Sequence, residues 1–198
     1  MLLAQFDYEP KELEKGYNNR TLYIDRSNMV ISRKPVSEKM KQTFTGGRGF
    51  DLWLLWNALP QDRIVTWDSP ENEICLAVGP LGGFPVYPGG GKTIAVSISP
   101  LTGCVVDSNV GGYFGPYLKF AGWDALEIQG KANAEVLILI DGDTSNVSIE
   151  DAQEWPSETH FVTDLIVQKF SRGKPLSVSV VASGPGAERR YRDTPAGP

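Results

Sequence analysis

The pattern of apolar and polar positions predicts many strands and few helices. Runs rich in β-branched and apolar residues, bounded by glycine, proline or polar residues, predict strands at 21–25, 29–32, 74–78, 93–98, 124–129, 135–141 and 176–181. The first two are spaced to pair as a hairpin around 26–28, and 135–141 is predicted to be buried and to end in a turn at 141–143. Because strands outnumber helices and do not alternate with them regularly, the sequence predicts the α+β class rather than a doubly wound sheet.

Three segments have the periodicity or the end signals of helices. A glycine loop at 46–49 leads into a predicted helix over 50–59, whose apolar positions share one face and which Pro60 stops. Pro116, early in 111–120, predicts a loop that runs into a short helix. A third helix is predicted to begin after Ser157 as its N-cap and to end before Gly173, with one apolar face formed by Phe161, Leu165, Ile166 and Phe170.

Composition and charge narrow the class of protein. The chain has 198 residues, of which 41% are hydrophobic and 22% charged, as expected of one globular domain; we assign it to 1–188, with a tail at 189–198. The net charge of −5, from 19 basic and 24 acidic residues, argues against nucleic-acid binding. No apolar run reaches the ~18 residues of a membrane span, and the start turns acidic too early for a signal peptide. These features predict a soluble, cytoplasmic protein.

Cysteine and histidine usage excludes several kinds of site. Cys75 and Cys104 lie far apart in apolar, strand-like surroundings, which predicts two buried thiols; a disulfide or a reactive thiol remains the alternative. The chain has no Cys-x-x-Cys motif, and His160 is its one histidine. A self-contained iron–sulfur site, a zinc finger and a histidine-based triad are therefore excluded. If the protein performs redox chemistry, its iron–sulfur cluster comes from elsewhere.

Glycine is concentrated where charge is scarce. Between Ile74 and Leu118 only Lys92 and Asp107 are charged, and glycine recurs throughout. Glycine loops at 46–49, 89–93 and 107–112 allow backbone N–H groups to approach an anion such as a phosphate. Arg48 and Lys92 would add charge-assisted hydrogen bonds, and the side chain of Asn109 is an oxygen ligand that Mg²⁺ accepts beside phosphates. The alternative is that these loops are tight turns with polar residues facing solvent.

Two familiar phosphate motifs fail on spacing. The segment Gly91-Lys92-Thr93 resembles the end of a P-loop, but Val86 stands where its first glycine belongs, and a strand rather than a helix follows the lysine. The segment from Gly47 could begin a dinucleotide fingerprint, but Leu52 replaces its third glycine. The spacing therefore argues against a nucleotide hydrolase and against a Rossmann NAD site.

Longer blocks of sequence resemble a known family. The blocks run in order from Gly46 to Lys131, and a weaker one follows at 184–188. They are similar to the N-terminal domain of the tungsten-containing aldehyde:ferredoxin oxidoreductase family, which also includes the catalytic subunit of class II benzoyl-CoA reductase. The segments that carry the resemblance are Gly79–Leu81, Gly89–Lys92, Ser99–Gly103, Ser108–Gly115 and Leu118–Lys131.

The resemblance implies a fold and a cofactor. It implies two β-sheets that form a partly open, barrel-like base with a few flanking helices. On this base lies a tungsten (or molybdenum) bis-pyranopterin whose phosphates are bridged by Mg²⁺. Lys92 stands where the family has a pterin-contacting arginine. The lysine keeps the positive charge but cannot form the bidentate hydrogen bonds of a guanidinium group. Asn109 and Gly111 match the family's Asn-x-Gly, in which the asparagine serves Mg²⁺ and the phosphates, and Arg48 matches a motif near the cofactor.

The resemblance also implies partners. In the family the cluster cysteines and the acid/base residues lie in later domains, so we assign no catalytic residue to this chain. A larger partner chain would carry a [4Fe–4S] cluster, and ferredoxin or another electron-transfer protein would exchange electrons with it, in an anaerobic setting. The assembly would oxidise an aldehyde or perform a low-potential reduction of a small molecule. Two alternatives stay open: a non-catalytic cofactor-insertion or assembly protein, and a piece of a longer enzyme.

Overall fold

The computed structural model describes residues 1–185, which form strands, helices and one short 3-10 helix at Pro175–Ser177. The strands are β1 (Leu2–Asp7), β2 (Arg20–Asp25), β3 (Val30–Pro35), β4 (Glu73–Ala77), β5 (Thr93–Ile98), β6 (Val105–Val110), β7 (Ala125–Gln129), β8 (Val136–Asp141) and β9 (Asn146–Asp151). The α-helices are α1 (Glu38–Thr43), α2 (Arg48–Ala58), α3 (Phe114–Phe120) and α4 (Thr159–Phe170).

The strands form two sheets. The larger sheet has the order β3-β2-β7-β4-β5-β6, and the smaller has the order β1-β9-β8. All neighbours are antiparallel except β2 and β7, which run parallel. Two sheets with a few helices confirm the expected α+β class. Neither sheet closes into a barrel, because β3 and β6 remain as edges of the larger one.

One hydrophobic core lies between the two sheets. Strands β2, β4 and β7 direct alternate apolar side chains to this side, as the period of two in a strand requires. The smaller sheet supplies Val147 and Ile149, both fully buried. The segment after α3 adds Trp123, which is also fully buried. The residues of the larger sheet in this core are Leu22, Ile24, Leu76 and Leu126.

Helix α2 covers the other face of the larger sheet. Its Phe50 and Leu55 are buried, and Leu55 packs with Cys75 and Val96 of the strands below. The helix begins after Gly47, whose φ of 52° lies in the left-handed region that favours glycine. The predicted order of a glycine loop followed by a helix is confirmed, with the helix beginning two residues earlier. Its predicted apolar face is only partly buried, because Leu55 is buried whereas Leu52 and Trp56 are exposed.

Several predicted elements are wrong or incomplete. The predicted strand at 176–181 is absent: its first part lies in the 3-10 helix, and the residues after Ser177 have no strand partner within the described chain. Strand β8 is half-buried at every position rather than buried, because it is an edge of the smaller sheet. The segment at 107–112, predicted to be a glycine loop, is strand β6 as far as Val110. Strands β1 and β9 and helix α1 were not predicted.

The described chain divides into two compact units, Met1–Ala152 and the part from Gln153 onward. The second contains α4, whose N-cap is Glu158 rather than Ser157: the Glu158 carboxylate accepts a hydrogen bond from the Phe161 backbone N–H at 2.9 Å. Of its predicted apolar face, Ile166 is buried but Phe161 and Leu165 are exposed. The end of the resembling segment at 184–188, the expected boundary after residue 188 and the tail at 189–198 lie outside the described residues.

The cysteines differ from each other. Cys75 is a buried free thiol, as predicted, whereas Cys104 is exposed, because it lies in the turn between β5 and β6 at the edge of the sheet. Among residues 1–185, no helix is both long and apolar enough to cross a membrane.

Candidate functional site

The register of β5 and β6 brings two predicted site residues together. Thr93 pairs with Val110, so Lys92 and Gly111 are the residues that come directly beyond the last pair. The two chains stay close after that point, since a Cβ added to Gly91 would lie 2.9 Å from the carbonyl oxygen of Gly112. Lys92 and Gly111 therefore face each other across the end of the ladder.

Strand β4 adds a third member to this arrangement. Ala77 pairs with Ile94, and Val78 stays beside Thr93, because a Cβ at Gly115 would meet the side chains of both. Gly79 and Lys92 are the residues that come directly beyond Val78 and Thr93 on the two strands. The result is a row across three strand ends, Gly79, Lys92 and Gly111, which we call the glycine–lysine row.

The glycine loop before α2 lies against the same end of the sheet. A Cβ at Gly46 would lie 3.0 Å from the Cα of Gly79, and the Gly47 N–H donates to the Val78 carbonyl at 3.4 Å. Arg48, the first residue of α2, forms an ion pair with Asp107 of β6 at 2.6 Å. Asn109 is two residues beyond Asp107 on the same face of β6. Arg48, Lys92, Asn109 and Gly111 thus all lie at this sheet corner.

At two positions of the row, neither the backbone conformation nor the space around the residue requires glycine. Gly79 and Gly111 are the described glycines that have neither a positive φ nor any atom within 4 Å of an added Cβ. Gly112, by contrast, has a φ of 89°, which an L side chain rarely adopts. The chain would thus accept alanine at Gly79 and Gly111. Bare backbone there leaves room for a ligand to approach.

The two basic residues at the corner differ in how far a neighbour neutralises their charge. Arg48 is partly neutralised by Asp107, and it uses one guanidinium nitrogen in that contact. Lys92 is exposed and makes no ion pair with any residue among 1–185. The Asn109 side chain is also exposed, and no hydrogen bond joins it to another described residue. The corner therefore offers an unpaired cation and an amide oxygen beside two open glycines, a set of groups that fits a phosphate with an associated Mg²⁺.

Apolar side chains surround the corner. The loop between β4 and β5 and helix α3 contact each other, since a Cβ at Gly83 would meet the ring of Phe120 at 2.8 Å. Both segments expose large apolar groups to solvent, and in a monomer such a concentration is typical of a surface that a ligand or partner covers. The exposed side chains are Leu81, Phe84, Val86, Tyr87, Tyr113 and Phe120.

Other residues of the same sequence blocks are structural. Lys119 and Asp124 form an ion pair at 2.7 Å, with side chains 1% and 0% exposed. Lys119 also donates to the Gly16 carbonyl at 3.0 Å, and Asp124 accepts from the backbone N–H groups of Asn18 and Asn19. This network fixes the segment before β2 to the end of α3, so much of the conspicuous block at 118–131 maintains the fold.

Gly79 is the site residue that sequence reasoning missed. The Gly79–Leu81 segment carries part of the family resemblance, but the resemblance implies no role for Gly79. Strand register across β4, β5 and β6 is what sets it beside Lys92, and register between distant segments is not visible in the local pattern. An unexplained glycine directly after a buried strand is the signal that could have identified it.

Comparisons with known proteins identify the family of the chain. A family model described as "Aldehyde ferredoxin oxidoreductase, N-terminal domain" matches residues 21–193. The chain belongs to this family. The tungsten-containing aldehyde ferredoxin oxidoreductase of Pyrococcus horikoshii is 34% identical over 177 residues, covering 89% of this chain and 28% of that protein. The WOR-like subunit of aliphatic sulfonate oxidoreductase from Pyrococcus furiosus is 31% identical over 194 residues, covering 89% and 29%.

A solved structure is similar as well. The active-site complex BamBC of benzoyl-coenzyme A reductase, bound to 1,5-dienoyl-CoA, contains a chain with a TM-score of 0.73 and 28% identity. The match covers 80% of the present chain and 24% of that one. The chain therefore spans less than a third of the length of the relatives it matches. Its family membership identifies it as an oxidoreductase-family domain.

Proposed function

We propose that the chain is the cofactor-cradling subunit or domain of a tungsten (or molybdenum) bis-pyranopterin oxidoreductase. The observation that carries the proposal is the glycine–lysine row, where an unpaired lysine lies between two glycines that the chain itself does not require. A flat cofactor with phosphate groups needs bare backbone and a cation at its edge. The names of the tungsten-containing relatives support this cofactor class.

Each residue of the corner has a definite task in this proposal. Lys92 would donate to a pterin phosphate as a point charge, and Asn109 would offer its side-chain oxygen to an associated Mg²⁺. Gly111 and Gly79 let the cofactor approach the backbone. Arg48, held by Asp107, lies at the edge of the phosphate site and adds positive charge there. When bound, the metal centre supplies two-electron chemistry, which the aldehyde oxidation or low-potential reduction requires.

The remainder of the reaction belongs to partners. A larger chain carries the [4Fe–4S] cysteines and the substrate pocket, and ferredoxin or another electron-transfer protein exchanges electrons with it. The exposed apolar side chains around the corner suit such a partner, because interface centres are depleted of charge and enriched in aromatic residues.

A second candidate function is a non-catalytic cofactor-insertion or assembly protein. The match to the family's N-terminal domain is compatible with it, since an insertion protein needs a cofactor cradle. The two functions differ in partner stoichiometry: a subunit stays in the active enzyme, whereas an insertion protein is released from it.

Anaerobic purification of the tagged full chain from its native host tests both. Tungsten, molybdenum, magnesium and iron are measured by elemental analysis, and every co-purifying chain is identified by mass. Tungsten or molybdenum together with a cysteine-rich partner at one-to-one supports the subunit. A metal-loaded chain that transfers its cofactor and leaves the partner supports the insertion protein. A chain that carries neither metal nor partner contradicts both.

A further inference from the structure

A layer of acidic side chains is buried beneath α2, away from the sheet corner. Asp51 of α2 and Glu73 of β4 are 0% exposed, and Glu127 of β7 is 1% exposed. The Cys75 thiol, also fully buried, donates a hydrogen bond to Glu73 at 3.0 Å. We call Asp51, Glu73, Cys75 and Glu127 the buried acid layer.

The layer has too few positive charges to be fully ionised. Lys34 forms an ion pair with Glu127 at 2.5 Å, and the Thr21 hydroxyl donates to the other oxygen of that carboxylate. Both oxygens of Glu127 thus have a partner. One oxygen of Glu73 has no hydrogen-bond partner among the described residues, and neither oxygen of Asp51 makes a hydrogen bond of ordinary geometry there, although Asp51 lies beside the Ala77 backbone.

The elements packed around the layer bring little positive charge to it. Its neighbours include Lys34 of β3, Thr21 and Tyr23 of β2, Ile94 and Val96 of β5 and Met40 of α1. The neighbouring cations are engaged elsewhere, since Arg48 pairs with Asp107 and Lys41 pairs with Glu38. Of these groups only Lys34 offers positive charge to the layer, so two of the three carboxyl groups lack a counter-ion.

Burial without a counter-ion favours the protonated form of a carboxyl group. Burial, followed by the nearby charge of Glu127, raises the pKa of Glu73 to about 7. Burial also raises the pKa of Asp51 well above its ordinary value, despite the opposing effect of the Ala77 amide. Ionising either group would put a bare negative charge between α2 and the sheet, which strongly disfavours the packed arrangement.

Asp51 couples this layer to the sheet corner. It lies in the first turn of α2, and its backbone N–H donates to the Gly47 carbonyl at 3.0 Å. The same turn carries Arg48 and follows the loop that packs on Gly79. Displacing the first turn of α2 would therefore displace that loop as well.

We propose that the buried acid layer is a proton-controlled clamp: helix α2 and the glycine loop before it stay seated on the sheet while the layer keeps its protons, and loosen when the protons leave. The sign of the pH dependence follows from the number of protons that the folded and the unfolded chain bind. Between about pH 4.5 and 7 the unfolded chain has released the Glu73 proton while the folded chain retains it, so stability is complete below this window and is lost as the pH rises through it. The clamp does not depend on the proposed cofactor.

Urea unfolding of the full chain at half-unit steps from pH 5 to 8.5 tests the clamp. For each proton that the folded chain retains, we expect the unfolding equilibrium constant to rise by up to about tenfold per pH unit. Glu73→Gln and Asp51→Asn mimic the protonated side chains and should each flatten the profile. Glu12→Gln, at an exposed position, is the matched control and should keep the wild-type slope. Parallel profiles for all four proteins overturn the proposal.

Hydrogen exchange provides an independent test should a layer variant fail to fold. After correction for intrinsic rates, amides of 46–58 in the wild-type chain should exchange at least about tenfold faster, relative to those of β8 and β9, at pH 8 than at pH 6. The two strands form the internal control, because they belong to the smaller sheet. Equal pH dependence in the helix and in the strands also overturns the proposal.

Discussion

Lys92 and Lys119 both belong to sequence blocks that resemble the family, but they lie in opposite surroundings. Lys119 is buried, paired with Asp124 and bonded to the Gly16 carbonyl. Lys92 is exposed at the sheet corner and has no ion-pair partner among the described residues. The difference teaches that a family-specific block contains two kinds of residue: those that the fold needs and those that it leaves available for a ligand. Substitutions should separate the two kinds.

The largest loss of stability is expected when Lys119 is substituted. Lys119→Met removes the partner of a fully buried carboxylate, and breaking a buried pair in this way costs about 3–5 kcal/mol. Urea unfolding measures the loss. Lys11→Met, at an exposed position, is the control and should change stability by less than about 0.5 kcal/mol. A loss below about 1 kcal/mol at Lys119 would mean that Asp124 does not depend on the lysine.

The next effect concerns ligand retention rather than folding. Lys92→Ala should reduce tungsten or molybdenum per chain at least about tenfold in the anaerobically purified complex, because the phosphate loses its unpaired cation. Its unfolding free energy should stay within about 0.5 kcal/mol of wild type. Lys92→Arg keeps the charge and should keep most of the metal. Full metal content in the alanine variant would remove Lys92 from the proposed site.

Adjacent glycines at the end of β6 give a sharper contrast. Gly112→Ala should destabilise the chain by about 1–2 kcal/mol, because its φ of 89° is strained for an L residue. Gly111→Ala and Gly79→Ala meet open space and should leave stability unchanged or raise it by about 0.4–1 kcal/mol. Both should nevertheless lower the metal content of the complex. Stable variants that retain all their metal would show that no ligand approaches these positions.

The smallest effect is expected for the exposed ion pair of the corner. Arg48→Ala should cost only about 0.2–1 kcal/mol, since both partners are partly in water and salt screens them. Its effect on metal content should be smaller than that of Lys92→Ala, because Asp107 already neutralises part of the Arg48 charge. A larger loss of metal in Arg48→Ala than in Lys92→Ala would reverse the proposed order of the two cations.

Local pattern predicted much of the fold. The hairpin of β2 and β3, the strands β4, β5 and β7, and the glycine loop before α2 are all visible from apolar periodicity and turn residues. Edge strand β6 was missed because every residue from Val105 to Asn109 is exposed, so no alternation of apolar and polar residues marks it. The predicted strand at 176–181 shows the converse error, because its β-branched residues have no strand partner among residues 1–185.

The sequence by itself determined the class of fold, the family, and the identities of Arg48, Lys92, Asn109 and Gly111 as candidate ligands. Only the tertiary structure decided that these four lie at one corner, that Gly79 joins them, and that three carboxyl groups share a buried layer with one lysine. The reason is physical. Periodicity and turn chemistry act over a few residues, whereas strand register, burial and charge compensation depend on segments far apart in the chain.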